Sequence, residues 1–297
     1  MNLLSLLDRL STGNAPTGAA PRRQLLRQMG QAGWRAAAAA LPLVALTAPA
    51  QAATADTSLD AILLLLKLED LLSALYTQAL ASSGVLASPA QASVRPDFER
   101  MLRQQQGHAQ FYRSVLSGAG LTPPAAPGFD FSGRRNNAGN PVLFPNVLTD
   151  YAAFLQLAQQ LEDASASIYL GQASAFAGDR QLLSAALRTQ SVEARHASHV
   201  RTLRRGVATS AVVKSWPSNA DTAPNPAVMV PNPTSGGAPV SIYTFEANEN
   251  QPVSSTSSLP FAALFGGANA VQFSALSEAF DEPLPTAQAT ALLSVFG

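Results

Sequence analysis

Residues 68–76 read Leu68-Glu69-Asp70-Leu71-Leu72-Ser73-Ala74-Leu75-Tyr76, and residues 161–169 read Leu161-Glu162-Asp163-Ala164-Ser165-Ala166-Ser167-Ile168-Tyr169. Leu-Glu-Asp recurs, with a tyrosine seven residues after each glutamate. Further along, Gln105-Gln-Gly-His108-Ala109 is answered by Glu193-Ala-Arg-His196-Ala197. Glu69 precedes His108 by 39 residues and Glu162 precedes His196 by 34, so the chain reads as two related helical hairpins.

Four segments carry helical periodicity with ordinary start and stop residues. The first runs from about Ser58 to Ser83, before Gly84. The second starts at Pro96, suited to a first turn, and reaches about Leu116 ahead of Gly118 and Gly120. The third spans about Val147 to Ala177, closed by Gly178, and Asp179 is a natural N-cap for a fourth ending near Arg205. Short connections join one to two and three to four, while the middle connection, about Leu121 to Asn146, is long enough to cross a bundle. The expected fold is all-α, a four-helix bundle over residues 53–206 with one long crossover between helices two and three.

Residues three, four and seven apart share a helix face. Around Glu69 that face holds Ile62, Leu65, Leu66, Leu72 and Tyr76; around Glu162 it holds Leu155, Ala158, Ala166 and Tyr169. Both carboxylates thus sit in apolar stripes, as His108 does with Met101, Tyr112 and Val115, and His196 with Val200 and Leu203. A carboxylate driven into a core needs a proton, a cationic partner or a metal. Lysine is scarce, with only Lys67 and Lys214 present, and without cysteine the strong metal ligands are His, Asp and Glu. Glu193 and His196, three apart, reach the same side of their helix. A lone Glu-x-x-His recurs by chance on solvent faces, and His199 reads as a surface residue of that kind.

One Glu from each of two helices and Glu-x-x-His from each of two others is the ligand set of carboxylate-bridged dimetal bundles. With that pattern the sequence resembles the ferritin-like superfamily, and in particular exported ferritin-like domain proteins related to plant desiccation-associated proteins. The resemblance covers about Ser58 to Gly206, and Ala279-Phe-Asp-Glu-Pro-Leu284 is similar to the tail of such proteins. It implies metal positions at Glu69, His108, Glu162, Glu193 and His196. Gln105 stands where the second helix is expected to carry its glutamate, a departure that exchanges a bridging carboxylate for a weaker neutral donor. Tyr76, Tyr169, Asp70 and Asp163 would act from beside the ligands, and no catalytic residue is assigned. The implied cofactor is iron or manganese, as two ions, or one or none given Gln105. The implied partners are metal ions with peroxide or dioxygen, in ferroxidation, peroxide reduction or catalase-like disproportionation. The competing reading is a metal-free, non-catalytic envelope protein with a binding or protective role in oxidative or desiccation stress.

The flanks point outside the cytoplasm. Pro21-Arg-Arg-Gln-Leu-Leu-Arg27, the Ala-rich run from Ala36 to Ala48 and the triplet Ala50-Gln51-Ala52 resemble a twin-arginine-type signal peptide over residues 1–52, for export to the periplasm or beyond. Pro21 replaces a more usual Ser or Thr, and an ordinary secretory signal with a chance Arg pair is the alternative. The run is shorter than the roughly 18 apolar residues a membrane span needs, and no anchor is expected after processing. Cleavage after Ala52 removes five arginines and Asp8, leaving 14 basic and 18 acidic residues. With 13% charged residues and a mildly acidic mature chain, no nucleic-acid partner is expected. Residues 207–297, rich in Pro, Gly and Ser, carry too many aromatics for a free linker. They are expected to wrap the bundle irregularly, with short helices near Phe261–Phe265, Val271–Ala279 and Thr286–Phe296. The sequence assigns no oligomeric state.

Overall fold

The leucine-rich stretch around Glu69 contains neither proline nor glycine for 27 residues, and it folds as a single helix, α1 (Ala55–Ala81). The computed structural model describes residues 55–207, 213–218, 226–233, 237–247, 250–254, 257–260, 278 and 281–297; the expected signal segment lies outside them. α2 (Arg95–Gly118) carries Pro96 in its first turn. α3 (Tyr151–Gln172) is capped by the Asp150 carboxylate, which accepts from the Ala153 amide at 2.8 Å. α4 (Arg180–Val207) is opened in the same way by Asp179, which accepts from the Gln181 and Leu182 amides at 2.9 and 3.0 Å.

The third helix is shorter than its periodicity predicts, for reasons at both ends. Asn146 adopts φ 63°, and its carbonyl accepts from the amides of Thr149 and Asp150, so residues 147–150 form a turn before Tyr151 begins the helix. At the other end the chain tightens into a 3-10 turn over Ala173–Phe176.

α1 lies against α2 and α3 against α4, and the two hairpins meet through α1 and α3. The connection 119–150 carries the chain across, giving the all-helical bundle with one crossover that the loop lengths predict. Leu65, Leu68, Leu72, Leu75, Leu155 and Leu161 are fully buried, at about 1.5–3 kcal/mol each. Tyr76, Phe98 and Phe154 pack edge to face and tilted, with ring centroids 5.3–6.3 Å apart. Among the described residues no helix is long and apolar enough to cross a membrane.

The tail differs in part from expectation. It contributes two small antiparallel hairpins, β1 (Met229–Val230) with β2 (Val240–Ser241), and β3 (Asn250–Ser254) with β4 (Ser257–Pro260). Strands of two to five residues are too short to display alternation, so the sequence carries no period to betray them. A 3-10 helix, Ile242–Ala247, follows β2, and α5 (Thr286–Leu293) is the last of the three expected short helices. The other two, near Phe261–Phe265 and Val271–Ala279, fall outside the described residues.

In the described tail, Val228, Val230, Tyr243, Leu284, Leu292 and Phe296 belong to the same apolar core as the four helices. Phe296 stacks on Phe144 at 5.6 Å and lies 6.1 Å from Phe131 of the crossover. The Asp130 amide donates to the Phe296 carbonyl at 2.7 Å, and Lys67 Nζ donates to the Gly297 carbonyl at 2.6 Å. Gly171 of α3 lets the tail come close: the Leu284 amide donates to the Ser167 carbonyl at 2.9 Å, and a Cβ at position 171 would overlap the Leu284 carbonyl oxygen. Gly171→Ala is therefore expected to destabilise the protein by about 1–3 kcal/mol despite the better helix propensity of alanine. Denaturant unfolding would measure the loss and limited proteolysis should cut the tail first; a variant as stable as its parent would show that the tail has room to spare.

Candidate metal centre

Each helix of the bundle delivers its marked residues to one place. Glu69 from α1, Glu162 from α3 and Glu193 from α4 are fully buried, as is Gln105 from α2, while His196 is 5% exposed and His108 only partly covered. The ligand atoms form two groups, Glu69 with His108 and Glu193, and Glu162 with His196 and Glu193, each within 4.8 Å. Glu193 belongs to both and sits between the halves. In the first half, His108 Nδ1 lies 3.0 Å from Glu193 Oε1 and 3.4 Å from Glu69 Oε2. In the second, His196 Nδ1 lies 3.6 Å from Glu162 Oε2 and 3.6 Å from Glu193 Oε2.

The repeated tyrosines cross over between the hairpins. The Tyr76 hydroxyl donates to Glu162 Oε1 and the Tyr169 hydroxyl to Glu69 Oε1, so the tyrosine of each repeat orients the carboxylate of the other. Burial first, and then the adjacent carboxylate, holds both phenols well above their ordinary pKa, which keeps them protonated as donors. Gln105 donates through Nε2 to Glu193 Oε2 at 2.9 Å and to Glu162 Oε1 at 3.4 Å, and its Oε1 faces His108 Nδ1 at 3.2 Å.

Three carboxylate oxygens remain buried without a hydrogen bond of sound geometry: Glu69 Oε2, Glu162 Oε2 and Glu193 Oε1. Such orphans are costly in a core, and their convergence with two imidazole nitrogens makes a donor set that fits a divalent cation. Without one, the cluster holds protons. Burial pushes Glu69 up to about 8, with the Glu193 charge adding to it, and pushes Glu162 up to about 7 against the opposing pull of His196. For Glu193 burial is outweighed by the two flanking histidines, and its carboxyl is held below the ordinary range. Burial would lower the histidines, but their carboxylate partners win and raise both to about 10.

Asp70 and Asp163 stand elsewhere than beside the ligands. One residue along a helix is a turn of about 100°, which carries each aspartate away from its neighbouring glutamate. Asp70 accepts from Arg113 Nη2 through both oxygens at 2.8 Å. Asp163 accepts from Arg201 Nε and Nη2 at 2.8 and 2.7 Å, and from the Tyr243 hydroxyl of the tail at 2.6 Å. Arg113 follows His108 by five residues and Arg201 follows His196 by five, so the repeat extends beyond the histidines. That shared spacing was the signal for the two arginines. Gln104, whose Oε1 accepts from His196 Nε2 at 2.7 Å, and Ser165, donating to Glu193 Oε2 at 3.2 Å, carry no comparable signal. Glu99 is drawn to Arg95 at 2.9 Å, and His199, partly exposed, faces Asp97 at 3.3 Å.

Residues 57–206 match the family model described as "Ferritin-like domain". The chain belongs to the ferritin-like domain family. A solved structure described as "ferritin like, diiron-carboxylate proteins from Bacillus anthracis str. Ames" is 20% identical, with a TM-score of 0.39, over 50% of this chain and 96% of its own. No curated protein matches the chain.

The protons stored in this ferritin-like core set the direction of its pH dependence. Unfolded, Glu69 and Glu162 release their protons near 4.5, but folded they keep them to about 8 and about 7; the histidines keep theirs from 6.5 to about 10. The folded state thus binds more protons as pH rises through this window, and its stability is lost over it. Glu193, shifted the other way, contributes stability that is lost as pH falls below 4.5. Chelator-treated protein is therefore expected to melt highest near pH 5 and progressively lower toward pH 9 by calorimetry, whereas metal affinity should rise over the same range because the ligands must shed protons. A melting temperature that climbs from pH 5 to pH 9 without metal would contradict the assigned charges.

Proposed function

We propose that this ferritin-like protein holds iron or manganese through Glu69, His108, Glu162, Glu193 and His196, with Gln105 among them, and that it acts on peroxide or dioxygen. The convergence of three buried glutamates bearing unpartnered oxygens on two imidazoles carries this reading. Oxygen and imidazole donors without sulfur suit iron and manganese, and zinc is compatible with the same set. A redox metal bound there would supply electron exchange and open coordination positions toward an oxygen species. The chain's own residues do the rest. Tyr76 and Tyr169 fix the carboxylates of the opposite repeat, Gln104 and Gln105 steady the imidazoles, and the leucine stripes of α1 and α3 keep bulk water from the interior.

We further propose that residues 1–52 are a twin-arginine-type signal, that the mature protein works in the periplasm or outside the cell, and that its role lies in oxidative or desiccation stress. Folded export suits a site assembled before secretion. A second reading, a metal-free and non-catalytic protective bundle, is favoured by one observation: the Gln105 amide already satisfies oxygens of Glu193 and Glu162.

Elemental analysis of protein purified from its native host separates the two. Iron or manganese in stoichiometric amount, with peroxide consumption lost on chelation, is expected from the first reading; a stable protein free of metal and inert toward peroxide supports the second. Replacing Arg22 and Arg23 together by lysine is expected to abolish export, leaving precursor in the cytoplasm, and the mature N-terminus should follow Ala52. Unchanged secretion of the double variant would point to the ordinary secretory route.

A further inference from the structure

The two halves of the centre are copies in sequence, yet they differ at the position three residues before the histidine: Glu193 in one hairpin, Gln105 in the other. An amide has two unlike ends, and a group of that kind placed between two like half-sites makes them unequal. Gln105 Nε2 lies 2.9 Å from Glu193 Oε2, 3.4 Å from Glu162 Oε1 and 3.4 Å from His196 Nδ1, within the ligand atoms of the second half. Its Oε1 lies 3.2 Å from His108 Nδ1, on the side of the first half. The orientation follows from the neighbours: turned over, the carbonyl oxygen would lie against Glu193 Oε2, an acceptor already taken by the Ser165 hydroxyl, and the NH2 group would face His108.

Glu193 is divided in the same sense. Its Oε2, toward the second half, accepts from both Gln105 and Ser165. Its Oε1, toward the first half, is buried and accepts no hydrogen bond, with His108 Nδ1 at 3.0 Å. Glu69 shows the same split, one oxygen taken by Tyr169 and Oε2 unpartnered 3.4 Å from His108 Nδ1. In the second half Glu162 Oε1 accepts from Tyr76 and Gln105, and only its Oε2 is left, 3.6 Å from His196 Nδ1.

Resting on the metal reading above, we propose that the centre takes one divalent ion, held in the first half by Glu69, His108, Glu193 and the carbonyl of Gln105, while the Gln105 NH2 stands in for a second ion in the other half. The separations around His108 Nδ1, 3.0, 3.2 and 3.4 Å, suit a single small ion, since donors bonded at about 2.1 Å and set at right angles lie about 3 Å apart. In the second half a cation would have to expel an NH2 group that already satisfies two carboxylates, and doing so exposes their charge to an amide turned the wrong way. Charge agrees, because three carboxylates cannot neutralise two divalent ions but leave one ion with a modest negative excess that the remaining imidazole relieves.

Titration of chelator-stripped full-length mature protein with Mn(II) tests this by native mass spectrometry and electron paramagnetic resonance. The wild type is expected to take one Mn(II) with the six-line signal of an isolated ion, and Gln105→Glu to take two with an exchange-coupled spectrum. Glu69→Gln should weaken Mn(II) binding by about 100-fold and Glu162→Gln by less than about tenfold, both substitutions being isosteric. Circular dichroism and melting of each variant identify any that fail to fold, and the wild-type ion count needs no variant at all. Two ions in the wild type, or equal losses for the two glutamate variants, overturns the one-ion assignment while leaving the metal reading standing. No Mn(II), Fe(II) or Co(II) bound by the wild type or by Gln105→Glu overturns the metal reading itself, and the one-ion assignment with it.

Discussion

Three carboxylates in a leucine-lined interior set the terms for the rest of this bundle. Glu69, Glu162 and Glu193 have no access to water, and a bare buried carboxylate costs several kcal/mol. A set of polar groups from all four helices is arranged around that cost. Two histidines face the acids, two tyrosines donate to them across the hairpin boundary, and a glutamine and a serine take up further oxygens. What these donors leave over, three unpartnered oxygens, is concentrated in one place.

The crossing of the tyrosines ties the hairpins into a unit. Had each tyrosine served the glutamate of its own helix, α1 and α3 would meet through apolar contact, which tolerates sliding. Because Tyr76 of α1 holds Glu162 of α3 and Tyr169 of α3 holds Glu69 of α1, two hydrogen bonds in a low-dielectric setting join the Gln105, Gln104 and His108 contacts in fixing the register between the halves. The paired arginines add a second layer outside the first. Arg113 and Arg201 neutralise the aspartates next to the glutamates, so the acid-rich Leu-Glu-Asp motif is compensated on both of its faces.

Much of this was legible in the sequence. The fold followed from four periodic stretches and one long connection, and the cluster from the duplicated Leu-Glu-Asp and the two x-x-His spacings, because helical geometry is local and nearly rigid. Legibility ended where partners come from distant chain. Nothing near Asp163 announces Tyr243, eighty residues away, and nothing near Ser167 announces Leu284. The third helix is shorter than its periodicity predicts because Asn146 takes a left-handed turn that periodicity does not register. The orientation of the Gln105 amide is legible only once both of its neighbours are known.

The tail also breaks the equality of the two hairpins. Tyr243 rests its hydroxyl on Asp163 and its ring near Arg201, 5.6 Å from the guanidinium carbon, whereas the matching pair of Asp70 and Arg113 opens toward solvent. A duplicated hairpin begins as two interchangeable parts. Once a later stretch of chain leans on the Asp-Arg pair of only one of them, that pair becomes a foundation and its twin is left free to drift, so substitutions tolerated around Arg113 would not be tolerated around Arg201.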